Sequence, residues 1–419
     1  MTASMEAPGC GCSEYRTSRR TVLKGLGGAV VTSMVGSVFT STAYGATTDG
    51  NVLVVLSLRG GCDGLSLVVP HGDAGYAAAR PRIAVPTGSL LAKDAMFGLH
   101  PELAPLLPMW TAGRFGAVQA VGLPQPNRSH FAAMEAVEDA DPGSSARVGW
   151  LNRMVGFVGD DDPVDAVQLG SPLLPTALVG PAPALALDTL RSAKLPGADT
   201  AADEAAVRAS LSALWSGQRG SMATAVSRTL ETTTTLAPVA STVSGPQNGA
   251  SYPKVDLGHA LKDAAALIRA GVGVQTVTLD HGSWDMHTDL GTIGSGNMRY
   301  MLGELASSLA AFFTDLGALG DKVTVVTMSE FGRTVRENGN SGTDHGFGNA
   351  MLMLGAGVRG GRVHGTWPGL GSGNLVDGDL AVTNDYRCVL AEVVASRFPT
   401  TDLSTVFPGL QRKPIGVMA

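Results

Sequence analysis

Twice in succession this chain runs from an amphipathic helical stretch into an unbroken apolar one. Leu257 to Ala270 carries apolar residues at helical spacing and leads into Val274 to Leu279; Asn297 to Leu316 does the same and leads into Val323 to Thr327. Helix followed by strand, repeated, is how a crossover connection reads in sequence, and a strand that is apolar throughout is one covered on both faces. The pattern predicts an α/β fold, a largely parallel central sheet flanked by helices. Asn51 to Leu58, Phe115 to Val121 and Ala350 to Leu354 read as further strands, Val164 to Leu169 and Ala184 to Ala186 as shorter ones, and Ala132 to Ala140 and Asp385 to Phe398 as helices. Between about Asp188 and Asn248 the pattern turns to Ala/Ser/Thr-rich helical stretches around a turn at Thr232 to Leu236. This segment is expected to be a helical insertion or lid within a single domain over residues 47–419.

The polar residues collect just past the strands. Val274 to Leu279 empties into Asp280-His281-Gly282-Ser283-Trp284-Asp285-Met286-His287, and Val323 to Thr327 into Ser329-Glu330-Phe331-Gly332-Arg333-Thr334, followed by Gly342-Thr343-Asp344-His345-Gly346. The first strand breaks into Arg59-Gly60-Gly61-Cys62-Asp63-Gly64, and Phe115 to Val121 ends ahead of Arg128-Ser129-His130-Phe131. In open α/β sheets ligands and catalytic groups gather at the carboxyl ends of strands. Carboxylates mixed with imidazoles suit zinc, manganese or a similar divalent ion better than calcium, which prefers oxygen alone. The expected ligands are Asp63, Asp280, Asp285, His287, Glu330, Asp344 and His345, holding one ion or two. Ser129 stands near a helix start, where backbone N–H groups favour an anion.

Composition narrows the partners. Thirty basic residues face 36 acidic ones, for a formal charge of −6, and the basic residues are scattered, which argues against nucleic acid. No segment after the first 46 residues reads as a membrane span. Of the four cysteines, Cys10 and Cys12 precede a twin-arginine pattern, Ser18-Arg19-Arg20-Thr21-Val22-Leu23-Lys24, with a Gly/Ala/Val segment behind it and small residues at Ala43 and Gly45. Residues 1–46 therefore read as a twin-arginine signal peptide, with the translocase as a partner during export and a periplasmic, cell-surface or extracellular destination. Cys62 and Cys388 remain, as buried free thiols or as one disulfide, and two cysteines cannot build a Cys-rich zinc site.

Seven segments together carry a family resemblance: Leu58-Arg59-Gly60-Gly61-Cys62-Asp63-Gly64, Arg128-Ser129-His130-Phe131, Gly282-Ser283-Trp284-Asp285-Met286-His287, Ser329-Glu330-Phe331-Gly332-Arg333-Thr334, Gly342-Thr343-Asp344-His345-Gly346, Trp367-Pro368-Gly369-Leu370 and Asn384-Asp385-Tyr386-Arg387. The chain resembles the exported family called domain of unknown function 1501, usually placed in the alkaline phosphatase-like superfamily of phosphatases, sulfatases and cofactor-independent phosphoglycerate mutases. The resemblance implies that Asp63 is the first metal-binding Asp and Ser129 the covalent nucleophile. Asp285 and His287 would hold one metal, with Asp280 able to replace Asp285. Ser329-Glu330 stands where the superfamily has an Asp-His pair, and Gly342-Thr343-Asp344-His345 resembles the final metal-binding His of the phosphomutase branch; in a second register Asp344-His345 is that pair and His364 the last ligand. Arg128 or Arg333 would clamp the equatorial oxygens of a phosphate or sulfate group.

Each of these residues also has a plain structural use. Asp63 can cap a turn, Ser129 a helix, and Glu330 and Arg333, three apart, can form an internal ion pair. His130 reads as a packed or hydrogen-bonded histidine, and His71, His100, His259 and His364 as structural. Two functions follow: an exported metal-dependent hydrolase acting on a small-molecule or cell-envelope phosphate or sulfate ester, or a non-catalytic exported binding protein that keeps the fold. The substitution of Ser329-Glu330 for the expected pair leans to the second and the joint presence of Asp63, Ser129, Asp285, His287 and His345 to the first.

Overall fold

The computed structural model describes residues 50–125, 127–158, 162–241 and 245–419. The twin-arginine leader and Cys10 and Cys12 lie outside the described residues.

Among the described residues the main sheet has nine strands. In chain order they are β1 (Val52–Leu58), β2 (Phe115–Gly122), β3 (Ala166–Leu169), β4 (Leu185–Leu187), β5 (Thr276–His281), β6 (Val323–Met328), β7 (Asn349–Gly355), β8 (Val363–His364) and β9 (Asn384–Asp385). Across the sheet the order is β8-β2-β7-β6-β1-β5-β3-β4, with β9 also beside β2. β1 pairs in parallel with β5 and β6, and β3 with β4 and β5, as the crossovers predict. β7 is the exception, antiparallel to both β2 and β6. A reversed strand between two parallel ones starts at the edge where its neighbours stop. Val121 pairs with Asn349, so the loop leading into β7 shares an edge with the loop leaving β2.

Helices cover both faces. The six apolar residues of β1 divide by the period-2 rule. Val52, Val54 and Leu56 face α6 (Asp256–Ala270) and α7 (Asn297–Leu316) in one core. Leu53 and Val55 face α2 (His130–Asp139), α3 (Trp150–Val158) and α8 (Tyr386–Arg397) in another; α1 is the single turn Gly64–Leu67. Among the described residues one stretch, Asn297–Asp321, is long and apolar enough to cross a membrane by length and composition alone; here it lines the core through Leu302, Leu305, Leu309 and Phe312.

The helical segment between β4 and α6 forms two helices, α4 (Ala201–Trp215) and α5 (Ser221–Ser241). The turn expected at Thr232 to Leu236 is instead the interior of α5. Threonine hydroxyls bond back to carbonyls one turn earlier, Thr233 to Thr229 at 2.7 Å and Thr234 to Leu230 at 2.7 Å, which satisfies them within the helix. Leu236 is buried against the main core. Cys62 and Cys388 are both free and buried.

His100 is a structural histidine with a measurable consequence. Its Nδ1 accepts the backbone N–H of Glu102 at 3.1 Å, capping the turn Pro101–Leu106, and only an unprotonated nitrogen can accept. Burial pushes its pKa down from 6.5 to about 4. The unfolded chain thus takes up this proton near pH 6.5 and the folded chain only near pH 4, so stability rises with pH in that window and is lost as pH falls through it, by roughly 3 kcal/mol in all. Urea unfolding at pH 7 and pH 5 is expected to show about 2 kcal/mol of this loss, and His100→Asn, which keeps a side-chain acceptor that does not titrate, is expected to flatten it.

Candidate metal centre

The register of the central strands sets the level of the site. Leu58 pairs with His281, and Ser57 with both Asp280 and Met328, so β1, β5 and β6 end side by side. Beyond β5 burial alternates from Trp284 to His287. Trp284 and Met286 are buried and anchor the segment, while Asp285 and His287 project from the opposite side. Gly60, at φ +115°, lies so close to this segment that a Cβ there would stand 2.5 Å from the Asp285 backbone nitrogen.

Beyond β6 the chain folds against the segment ahead of β7. Thr334 N–H donates to Asp344 carbonyl at 2.9 Å, and Gly346 N–H to Gly332 carbonyl at 2.9 Å, with Arg333 opposite His345. The approach needs glycine at position 332, where a Cβ would fall 1.9 Å from the Gly348 carbonyl oxygen. His130, in the first turn of α2, completes the cluster from the β2 side.

Three imidazole nitrogens meet there. His345 Nε2 lies 3.0 Å from His130 Nε2 and 3.1 Å from His287 Nε2. Asp285 joins them: its Oδ1 is 3.0 Å from His287 Nε2 and 3.1 Å from His345 Nε2, and its Oδ2 is 3.4 Å from His130 Nε2. His130, Asp285 and His345 offer ligand atoms all within 4.8 Å of one another, a group able to hold a metal ion.

The outward nitrogens are all occupied. His130 Nδ1 meets Glu330 Oε1 at 2.7 Å, His287 Nδ1 meets Asp344 Oδ1 at 2.8 Å, and His345 Nδ1 meets the Arg128 carbonyl at 2.9 Å. A carbonyl or carboxylate accepts, so each Nδ1 carries the hydrogen and each Nε2 presents a lone pair. The supports are themselves held. Glu330 Oε1 accepts the Gly60 N–H at 2.9 Å, and Asn338 Nδ2 donates to Asp344 Oδ1 at 3.2 Å. Phe331 packs on the rings of His130 and His345, each with centroids 4.8 Å apart.

Arg333 is fully buried. Its Nη1 donates to Asp285 Oδ1 at 2.8 Å and its Nη2 to the Thr343 carbonyl at 2.8 Å. Burial alone would raise the Asp285 pKa, but the Arg333 hydrogen bond and charge hold it below the ordinary carboxylate range. For Asp344 the hydrogen bond with His287 has the same effect.

The expected site residues thus separate. Asp285, His287 and His345 converge, and His130, expected to be only packed or hydrogen-bonded, stands among them. Glu330 and Asp344, expected as ligands, lie behind His130 and His287 and hold their Nδ1 atoms. Asp63 and Asp280 face arginines. Asp63 is buried in a two-pronged pair with Arg80, which also braces the Thr334 and Val335 carbonyls at 2.9 Å, and Asp280 Oδ1 accepts from Arg59 Nε at 2.8 Å. Burial would raise the Asp63 pKa, yet the Arg80 guanidinium holds it low. Arg333, expected as a substrate clamp, is sealed from any substrate and acts on Asp285. Arg128 is partly exposed, pairs with Asp379 and lies over the Phe347 ring at 4.2 Å. Ser129 is the N-cap of α2 but makes no side-chain capping bond, and it is exposed. His364 is on β8, bonded to the Arg359 carbonyl, which removes the second register.

A family model described as a protein of unknown function (DUF1501) matches residues 95–388. No curated protein matches the chain. Among solved structures, the lipoteichoic acid synthase LtaP from Listeria monocytogenes is similar at 9% identity with a TM-score of 0.29, covering 80% of this chain and 73% of that one; a likeness that loose supports no inference.

The Asp63–Arg80 pair generates a test that separates ligation from structure. Removing one partner of a buried ion pair leaves the other charge uncompensated and costs about 3–5 kcal/mol. Asp63→Asn is expected to lower the denaturation midpoint accordingly while the folded protein keeps its metal content. Loss of metal at unchanged stability would restore Asp63 as a ligand.

Proposed function

The chain belongs to the DUF1501 family of proteins of unknown function, and on the convergence of His130, Asp285, His287 and His345 we propose that it is an exported, metal-dependent hydrolase of phosphate or sulfate esters. One observation carries the reading: His345 Nε2 lies 3.0 Å from His130 Nε2 and 3.1 Å from His287 Nε2, and Asp285 oxygens lie 3.0 to 3.4 Å from all three, with every outward nitrogen already committed. That set fits a divalent ion, zinc or manganese, which when bound supplies Lewis acidity toward an ester oxygen.

The chain's own residues would do the rest. Ser129, exposed and next to His130, provides the nucleophilic oxygen; its bond to phosphorus or sulfur forms as the ester oxygen leaves with the proton, and water then releases the acid. The balance is ester plus water to alcohol plus phosphate or sulfate. The unpaired N–H groups of the first turn of α2 favour the anionic group. Arg128, already partnered by Asp379, adds a cation at the rim. Export rests on Arg19 and Arg20 and the small residues before position 46.

A non-catalytic binding protein is the second reading, favoured by the closure of Asp63 and Asp280 onto arginines. Hydrolysis separates the two. Metal-loaded protein is expected to turn over p-nitrophenyl phosphate, its diester or the sulfate, with Ser129→Ala and His345→Ala each lowering kcat/KM on the order of 10³-fold. A metal-loaded protein inert toward all three classes would leave the binding reading in place. For export, replacing Arg19 and Arg20 together by lysine is expected to hold the protein in the cytoplasm on cell fractionation; unaltered export would exclude the twin-arginine route.

A further inference from the structure

We infer that the centre holds a single zinc-class ion in an N₃O set, the Nε2 atoms of His130, His287 and His345 with an Asp285 oxygen, and that Glu330 is a positioning residue for His130 rather than a ligand of a second ion. The inference rests on the metal dependence proposed above and goes further, because the superfamily resemblance implies room for two ions.

Three lines of geometry support it. First, His345 Nε2 stands 3.0 Å from His130 Nε2 and 3.1 Å from His287 Nε2, each close to the roughly 3.3 Å edge of a tetrahedron about zinc, and Asp285 Oδ1 lies 3.0 Å from His287 Nε2 and 3.1 Å from His345 Nε2. A shared proton would serve one pair of these nitrogens and leave the third lone pair facing them. Three imidazoles favour zinc over manganese in the ordinary order of divalent affinities.

Second, the carboxylates that a neighbouring ion would need are spent. Asp63 is held by Arg80 and Asp280 by Arg59. Glu330 Oε1 takes both the His130 Nδ1–H and the Gly60 N–H, with Ser329 Oγ 3.2 Å from its Oε2. Asp344 takes His287 and Asn338.

Third, charge is balanced by one divalent ion. Asp285, Glu330 and Asp344, counted as ionised, stand against the Arg333 guanidinium that touches Asp285. Two negative charges remain, and Arg333 fills with a fixed cation the flank of Asp285 where a second metal would sit.

The experiment is titration of the metal-free protein with Zn²⁺ and with Co²⁺, followed by bound metal per chain and by cobalt visible absorption. One equivalent at saturation is expected, with the intensity of a four-coordinate cobalt centre. Glu330→Gln, close to isosteric, is expected to keep that stoichiometry and weaken affinity about 10- to 100-fold, as loss of a support behind a metal-bound histidine does. His287→Ala, which alters a partly exposed ring, is expected to lower affinity at least as much and to change the cobalt spectrum, while thermal unfolding shows that it still folds. Two equivalents at saturation, an unaltered affinity in Glu330→Gln, or an unaltered spectrum in His287→Ala would overturn the inference. A protein that binds one ion and hydrolyses no ester overturns the hydrolase reading alone; one that hydrolyses esters with two ions overturns only the single-ion centre.

Discussion

Four hydrogen-bond acceptors meet at one point with no donor of their own to place between them. An imidazole has two nitrogens, and in His130, His287 and His345 the outward one gives its hydrogen to a carboxylate or a carbonyl. What remains is the His345 lone pair facing those of His130 and His287, with the Asp285 carboxylate beside all three, an arrangement that is unfavourable until a cation occupies it. Much of the local architecture acts to hold this arrangement in place. Parallel β1, β5 and β6 end at one level, β7 enters from the same edge, and the glycines at positions 60 and 332 let backbones close to distances that a side chain would block.

The arginines decide which carboxylates take part. Arg80 and Arg59 draw Asp63 and Asp280 away, whereas Arg333 leaves Asp285 in the cluster while lowering its proton affinity. A buried guanidinium of this kind is costly to desolvate and is retained by its pairing and its carbonyl contacts. Here that cost is tied to register: Arg80 binds the Thr334 and Val335 carbonyls, and those residues lead the chain past Asp344 and His345.

The sheet was legible because its strands are largely apolar or β-branched runs, and the ends of β5 and β6 were legible because Asp and His there have no packing use. Asp285, His287 and His345 followed from that. His130 did not, since Arg128-Ser129-His130-Phe131 gives a helix start the same appearance whether the ring packs or binds. Its partner Glu330 lies 200 residues away, so only the fold could pair them. The signal that was present is positional: His130 follows β2, and β2 ends at the same edge as the other loops. The pairing of Asp63 was hidden for the converse reason, because the local Gly60-Gly61-Cys62-Asp63-Gly64 run does not reveal that Arg80 will be buried against it. The direction of β7 was likewise invisible, as an apolar run carries no arrow.

The distance in sequence between the three histidines has a kinetic side. His130 and His345 are 215 residues apart, and His287 and His345 are 58 apart. Bringing such segments together requires closing long loops, whose entropy must be overcome before any contact between them is gained. An ion therefore meets a competent site only on a chain whose central strands are already ordered, and its binding energy adds to the stability of the finished fold rather than to any early intermediate. Any ion taken up by this cluster would report that segments 215 residues apart in sequence have already met.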